Sequence, residues 1–151
     1  MSYETNMIKI MRLINNRILE NLSSLININL EVKSGYKNAA EMVSDKNLKE
    51  IFVIYIQKIA EDINELKKLE KDLSNNKKMI NHKQKEFPFQ VFSADEISVL
   101  RKCTNMEEKL IKEYETILNG ELQGNIKEIL SKQYNRLREV RIHMRSLEDQ
   151  Y

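Results

Sequence analysis

Residues 11–43, MRLINNRILENLSSLININLEVKSGYKNAAEMV, decide the fold of this chain. Apolar residues recur there in alternating steps of three and four, which is the spacing of a helix face that packs inside a bundle. The segment contains no proline and a single glycine, Gly35. One step of the series is polar, at Asn29. The pattern predicts one long helix whose inner face carries Ile14, Ile18, Leu22, Leu25, Val32, Tyr36, Ala39 or Ala40, and Val43.

Three later segments carry apolar stripes of the same kind, and each is also interrupted by one polar residue. The interruptions are Asp62 in the second stripe, Glu107 in the third and Gln133 in the fourth. Amphipathic helices must bury their apolar faces against one another, so the sequence predicts an all-α four-helix bundle. We expect a single domain over residues 1–151, with helices at about 4–43, 46–73, 94–118 and 124–149.

The connections predict how the helices follow one another. Short links near Ser44 and Asp45, either of which is a candidate N-cap, and near Gly124 predict two antiparallel helical hairpins. Residues 74–93 form a crossover that can extend over roughly 60 Å, whereas a helix of about 27 residues is only about 40 Å long. Ser93 and Glu96 have capping-box spacing and predict the start of the third helix. Two hairpins joined by a long crossover are typical of ferritin-like bundles.

Composition narrows the classes of function. The 25 Lys and Arg residues nearly balance the 23 Asp and Glu residues, so no overall field attracts nucleic acid or an anionic membrane. Cys103 is the single cysteine, which excludes an intramolecular disulfide and favours a reducing compartment. No run of 18 apolar residues occurs, and the N-terminus lacks signal-peptide features. We expect a cytoplasmic protein that makes no contact with a membrane.

The four polar positions in the stripes have two interpretations. Buried polar residues can satisfy one another and fix helix register, as an Asn does in a coiled-coil core. Alternatively, they can hold metal, as in ferritin-like proteins with a Glu on each of two helices and Glu-x-x-His on the others. That motif is absent here, and Asn29 and Gln133 are amides. The sequence therefore favours a polar layer that fixes register, formed by Asn29, Asp62, Glu107 and Gln133.

A metal site stays open as the second interpretation. Asp62, Glu65, Glu107 and His143 are the residues that could bind one divalent ion such as Fe or Zn, although the leading interpretation needs no cofactor. No Gly-rich phosphate loop, nucleophile elbow or Cys-x-x-Cys pair is present, which removes most common enzyme classes. The sequence predicts no catalytic residues and favours a protein that is not an enzyme.

Two surface features concern partners. The first 14 residues are rich in Met, Ile and Leu and lengthen the first helix beyond its partner, which suggests a homodimer or packing against the phenylalanines of the crossover. Arg138, Arg141 and Arg145 form a basic ridge that could, together with the crossover lysines, contact nucleic acid. Acidic neighbours such as Glu139 favour an ordinary solvated face instead.

Local patterns in both hairpins resemble a known family. The first hairpin contributes Asn29, Gly35-Tyr36, Ala39-Ala40-Glu41, Asp45, Leu48-Lys49, Phe52 and Glu65-Leu66, and the second contributes Cys103, Glu107-Glu108, Tyr114, Leu122, Gln133 and His143. Over roughly residues 15–148 these patterns resemble an uncharacterised bacterial family of ferritin-like four-helix bundles, a domain of unknown function distantly similar to rubrerythrins and ferritins. The resemblance implies a stress-associated structural or interaction protein. The Lys- and Asn-rich crossover departs from relatives, in which this segment tends to be Gly-rich.

The leading prediction is therefore a non-enzymatic structural or interaction protein. The alternative is a degenerate ferritin-like protein that binds a divalent metal. A third hypothesis, a nucleic-acid-associated protein, requires the basic ridge and the crossover lysines to share one surface.

Overall fold

The computed structural model describes residues 3–74, 95–122 and 124–151. These residues form four α-helices and contain no strand: α1 spans Tyr3–Met42, α2 Lys46–Leu73, α3 Glu96–Leu118 and α4 Gly124–Gln150. The predicted all-α class with four helices is confirmed over this part of the chain. Nearly all of the predicted crossover, residues 74–93, lies outside the described residues. Among the described helices, none combines the length and the apolar character that a membrane-spanning segment needs.

Aspartate side chains start two of the helices. Asp45 is extended, and its Oδ1 accepts a hydrogen bond from the main-chain N–H of Leu48 at 3.1 Å. Asp95 caps α3 in the same way, accepting from the main-chain N–H of Ser98 at 2.8 Å and from its hydroxyl at 3.0 Å. A carboxylate suits this position because it satisfies free N–H groups at the positive end of the helix. The cap of α3 is thus Asp95, and the predicted capping-box residue Ser93 lies outside the described residues.

The helix directions follow from side-chain contacts between elements. α1 packs along both α2 and α3, and α3 packs along α4. Ser24 on α1 hydrogen-bonds Glu113 on α3, and Tyr36 further along α1 hydrogen-bonds Glu107 earlier in α3. Numbering therefore rises along α1 as it falls along α3, so these two helices are antiparallel. The backbones of α2 and α4 approach each other less closely, and long side chains bridge the gap between them.

The inward stripes of all four helices meet in one hydrophobic core. Tyr36, Phe52 and Tyr114 are its largest fully buried side chains, and leucine, isoleucine and methionine fill most of the remainder. Removing such apolar area from water stabilises the fold by roughly 25 cal/mol per Å². The core holds the inner helix faces at fixed positions, and it therefore also positions the polar residues that interrupt the stripes.

The N-terminal part of α1 extends beyond the helix that it packs against, α2. α1 has 40 residues and α2 has 28, which correspond to about 60 Å and 42 Å of helix. Because the two helices meet at the short turn before Lys46, residues 3–14 of α1 extend past the end of α2. Within this overhang the exposed large apolar side chains are Met7, Ile8, Ile10, Met11, Leu13 and Ile14.

Candidate functional site

The four polar residues predicted from the stripes are all buried in the core. The exposed fraction is 0% for Asn29 and Gln133, 1% for Glu107 and 3% for Asp62. Each occupies a position that would otherwise be apolar, so its helix turns it inward. A buried polar group destabilises the fold unless it finds a hydrogen-bond partner. The partners of these four residues therefore determine what the layer can do.

A chain of hydrogen bonds starting at Asn29 reaches all four helices. Asn29 Nδ2, on α1, donates to the hydroxyl of Tyr114 on α3 at 3.2 Å, and that hydroxyl donates to Gln133 Oε1 on α4 at 2.6 Å. Gln133 Nε2 donates to the main-chain carbonyl of Asp62 at 3.3 Å and to Glu65 Oε1 at 3.4 Å, both on α2. Burial raises the pKa of Tyr114, which keeps its hydroxyl protonated and able to donate. Asn29 and Asp62 are thus linked through Tyr114 and Gln133.

Glu107 forms the second part of the layer. Its Oε1 accepts a hydrogen bond from the hydroxyl of Tyr36 on α1 at 2.6 Å. Its Oε2 is buried and has no hydrogen-bond partner within the described part of the chain. Burial raises the pKa of Glu107 to about 7, the hydrogen bond from Tyr36 opposes this rise, and the charge of Asp62 adds to it. The neutral form of the carboxyl group is therefore favoured over a wider pH range than for an ordinary glutamate.

Asp62 has a cation beside it. Arg136 on α4 donates from Nη2 to Asp62 Oδ1 and, at 3.4 Å, to Glu65 Oε1. Burial raises the pKa of Asp62 to about 7, although the positive charge of Arg136 lowers it, and the charges of Glu65 and Glu61 raise it further. The guanidinium group of Arg136 thus places a positive charge beside two of the carboxyl groups predicted as metal ligands, Asp62 and Glu65.

A small cavity separates Asp62 from Glu107. Its volume is about 20 Å³, and Tyr55, Lys58 and Arg136 also line it. A space of this size has room for one water molecule. The remaining walls are apolar, so any group in the cavity depends on the two carboxyl groups and these three neighbours for polar contacts.

His143 lies at the outer side of the same region. It is exposed, and its Nδ1 is hydrogen-bonded to the hydroxyl of Tyr55, whose ring it meets edge-on at 6.0 Å between centroids. Burial raises the pKa of Tyr55 to about 12, and the charge of Glu107 contributes to this rise. Tyr55 is therefore neutral near pH 7 and connects the exposed imidazole to the cavity.

The residues predicted for a metal site lie in one region, but they do not converge on one point. Asp62 and Glu65 share Arg136, Glu107 borders the cavity, and His143 is bonded to Tyr55. Glu65 and His143 do not line the cavity. In residues 3–74, 95–122 and 124–151, no three His, Cys, Asp or Glu side chains are grouped as a metal site requires.

Three members of this network, Tyr36, Tyr114 and Arg136, were not predicted from the sequence as part of the polar layer. Tyr36 was predicted on the inner face of α1 with no role for its hydroxyl group, and both tyrosines are fully buried. A buried tyrosine hydroxyl nevertheless needs a partner, and that requirement is the signal that could have identified them. Arg136 lies three residues after Gln133, a spacing that places both on one face of α4.

The basic ridge on α4 is largely occupied by its own neighbours. Arg141 and Arg145 both pair with Glu108 on α3, at 3.6 Å and 2.9 Å. The guanidinium group of Arg138 lies over the ring of Tyr134 at 5.8 Å from its centroid. The crossover lysines Lys77, Lys78, Lys83 and Lys85, which the nucleic-acid hypothesis also needs, lie outside the described residues.

We expect Tyr114→Phe to destabilise the protein by about 1–3 kcal/mol, because it leaves Gln133 Oε1 without its donor in the core. The loss should shrink in a Gln133→Met background, where that acceptor no longer exists. Urea denaturation of the four variants of this double-mutant cycle measures the coupling. Tyr134→Phe serves as the control, since that side chain is only half-buried. Equal losses from Tyr114→Phe in both backgrounds would contradict the proposed link.

We expect Glu107→Gln to flatten the pH dependence of stability. Between about pH 4.5 and 7 the folded protein retains a proton on Glu107 that the unfolded chain releases, so the free energy of unfolding falls as pH rises through this window. The side-chain amide in Glu107→Gln does not titrate, so this fall in the free energy of unfolding, on the order of 3 kcal/mol, should disappear in the variant. Urea midpoints at pH 5 and pH 8 measure it, with the exposed Glu115→Gln on the same helix as control. An unchanged difference between the two pH values in Glu107→Gln would refute the assignment.

Comparison of the sequence with known proteins does not assign the chain to a family. No protein-family model matches the chain, and no curated protein matches it in sequence. What the chain does must therefore follow from its own residues, because a fold alone does not carry an activity.

Proposed function

We propose that the chain is a non-enzymatic, ferritin-like bundle that acts as a structural or interaction protein by associating with a second copy of itself. The observation that carries the proposal is the overhang of α1, residues 3–14. Its six large apolar side chains are between 40% and 69% exposed. Contiguous apolar surface of this kind marks interaction sites on folded proteins.

The overhang continues the pattern that builds the core. Met7, Met11 and Ile14 extend the alternating steps of four and three that lead to the buried residues Ile18 and Leu22. The same helix face is thus covered by neighbours along most of α1 and left uncovered over its first three turns. A face with core spacing is suited to packing against another helix.

A second copy of the chain is the partner that best fits this face. An apolar seam with steps of three and four is complementary to an identical seam, because the side chains of each helix fill gaps between those of the other. Two overhangs packed around a twofold axis would each cover the Met7, Met11 and Ile14 face of the other. Beside the base of the overhang, Leu13, Ile14 and Ile18 form an open cleft of about 600 Å³ with Gly120 and Glu121 of the α3–α4 turn. This cleft offers the partner helix a second surface.

Two features support the ferritin-like part of the proposal. α1 is antiparallel to α3, and the contacts of Tyr55 with His143 and of Asp62 with Arg136 make α2 antiparallel to α4. The bundle also carries buried polar residues on the inner faces of its helices, and ferritin-like proteins build their metal sites from inward-facing side chains of this kind. In this chain the layer acts as a register device, and the stress-associated role that the family resemblance implies remains part of the proposal.

Light scattering coupled to size-exclusion chromatography tests the association. We expect a dimer mass for the native chain and a monomer mass for Met11→Lys, because a charged residue in the seam would lose its hydration on pairing. Ile142→Lys is a matched control, since Ile142 is 65% exposed, against 58% for Met11, but lies on α4 outside the overhang. Circular dichroism should show unchanged helicity in both variants. A native chain that stays monomeric at high concentration would refute the proposal.

A divalent-metal-binding protein is the second candidate function. It is supported by Glu107, which lines the cavity together with Asp62. The Oε2 atom of Glu107 is buried and has no hydrogen-bond partner among the described residues. Arg136 weighs against it, since a cation already neutralises Asp62. Removing Arg136 from Asp62 would be a precondition for strong binding at this point.

Calorimetric titration with Zn(II), and with Fe(II) under anaerobic conditions, distinguishes the two candidates. For the leading proposal we expect no stoichiometric binding, because two carboxyl groups and a guanidinium group leave little net negative charge at the cavity. One equivalent of metal bound by the native chain and by Glu115→Ala, but lost in Glu107→Ala, would instead establish the metal site.

A further inference from the structure

A surface groove of about 290 Å³ runs between α2 and α4, where the helix backbones stand farther apart than in the other packed pairs. It extends from the level of Ile51 and His143 to the level of Lys58 and Arg136. Its inner end shares Tyr55, Lys58, Arg136 and Val140 with the small cavity beside Asp62 and Glu107. The overhang of α1 takes no part in it, so the groove is independent of the proposed dimer.

The walls of the groove are aliphatic. Ile51, Ile54 and Val140 line it, and Ile54 is 48% exposed. An exposed aliphatic wall next to polar groups is the composition of a small-ligand site, in which apolar contacts supply affinity and a few polar groups fix orientation. The volume lies near the lower end of the range for such sites, which is roughly 300–1,000 Å³. A ligand that fits is therefore compact and partly apolar.

The polar groups of the groove are mainly hydrogen-bond donors. Arg136 uses only Nη2 for Asp62 and Glu65, so its Nη1 and Nε have no partner among the described residues. Lys58 has no carboxylate partner in the described part of the chain either. His143 uses its Nδ1 atom for the hydrogen bond with Tyr55, so its Nε2 atom is available to a ligand.

The free donors of the groove favour an anion. Lys58 has no ion pair among the described residues, whereas the charge of Arg136 is shared with Asp62 and Glu65. Glu139 is the one acidic side chain among the described residues that line the groove. The free donors of Arg136, Nη1 and Nε, lie on different edges of the guanidinium group, so either can donate one charge-assisted hydrogen bond to a carboxylate oxygen. Phosphate would satisfy the same donors, but it would leave the aliphatic walls uncovered.

We propose that this groove binds a small amphipathic carboxylic acid, with its carboxylate against Lys58 and Arg136 and its aliphatic chain along Ile51, Ile54 and Val140. The chain of such a ligand points toward His143, at the other end of the groove. The site requires neither a metal nor a second copy of the protein. It uses Lys58 and the free donors of Arg136, which form no ion pair or hydrogen bond with other described residues.

Titration of the native chain with acetate, butyrate and hexanoate tests the proposal, with the imidazole NMR signals of His143 as the readout. The sequence contains two histidines, so the His143→Gln variant assigns the signals. We expect the dissociation constant to fall by about fourfold for each added methylene, the factor that corresponds to burying one CH₂ group. Hexylamine, which has the same tail and the opposite charge, should bind at least tenfold more weakly than hexanoate. Inorganic phosphate should bind no tighter than acetate.

Matched variants separate the two halves of the site. Lys58→Gln should weaken hexanoate binding at least fivefold, whereas Lys49→Gln, an exposed lysine of α2 outside the groove, should leave it unchanged. Ile54→Ser should weaken hexanoate but not acetate. Val53→Ser is its control, since Val53 is 47% exposed but does not line the groove.

Three results would overturn the proposal. Equal affinities for acetate and hexanoate would show that the aliphatic walls do not contribute to binding. Hexylamine binding as tightly as hexanoate would show that the groove does not select an anion. Equal weakening by Lys58→Gln and Lys49→Gln would reduce the binding to a general effect of surface charge. Because the readout is a shift at His143, failure of this proposal is distinguishable from failure of the dimer, which is measured by mass.

Discussion

A polar side chain inside a helix bundle must find its hydrogen-bond partner on another helix, and this constraint determines the arrangement of the molecule's centre. The hydroxyl of Tyr114 joins Asn29 to Gln133, and the hydroxyl of Tyr36 joins α1 to Glu107. Sliding one helix along another by a single turn would break these bonds and leave buried groups unsatisfied. The apolar stripes supply most of the stability, whereas the polar layer selects one register among those that the stripes permit.

The layer also explains why the carboxyl groups titrate unusually. Glu107 is buried, and one of its oxygens has no partner among the described residues, so the neutral form is favoured and its pKa rises to about 7. Asp62 is also buried, and its pKa also rises to about 7, although Arg136 beside it favours the charged form. Protonation can thus compensate either acid, and Asp62 has a guanidinium group beside it as well. Both forms of compensation come from within the chain, which is why the layer can be stable without an added ion.

The same arginine connects the interior to the surface. Arg136 binds Asp62 with one nitrogen and lines the groove between α2 and α4 with the rest of its side chain. Tyr55 connects in a similar way, since it borders both the cavity and the groove and bonds to the exposed His143. The gap between α2 and α4 thus has two consequences, because it leaves room for bridging polar side chains and exposes aliphatic walls between them. The overhang of α1, with its exposed apolar side chains, lies apart from this region, at the end of α1 away from the α1–α2 turn.

Much of the fold was predictable because it depends on local sequence. The stripes specified four helices, and an interruption such as Glu107 could be placed inside because its neighbours in the stripe are apolar. The contacts between helices were not predictable, since the relative height of the hairpins depends on how α1 meets α3 and not on any one segment. For that reason the sequence predicted one layer containing Asn29 and Asp62 but not the connection between them, which runs through Tyr114 and Gln133. The role of Arg136 was missed because it depends on a contact between α4 and α2.

The most direct test of this account is a ¹³C NMR titration of the Glu107 side-chain carboxyl group in metal-free protein. If the polar layer is a hydrogen-bonded register device that neutralises its own charges, Glu107 should titrate with a pKa of about 7, well above its ordinary value of 4.5. A pKa at or below 4.5 would mean that a cation or additional donors stabilise the charged form, and it would contradict the central role assigned here to burial and the Tyr36 hydrogen bond.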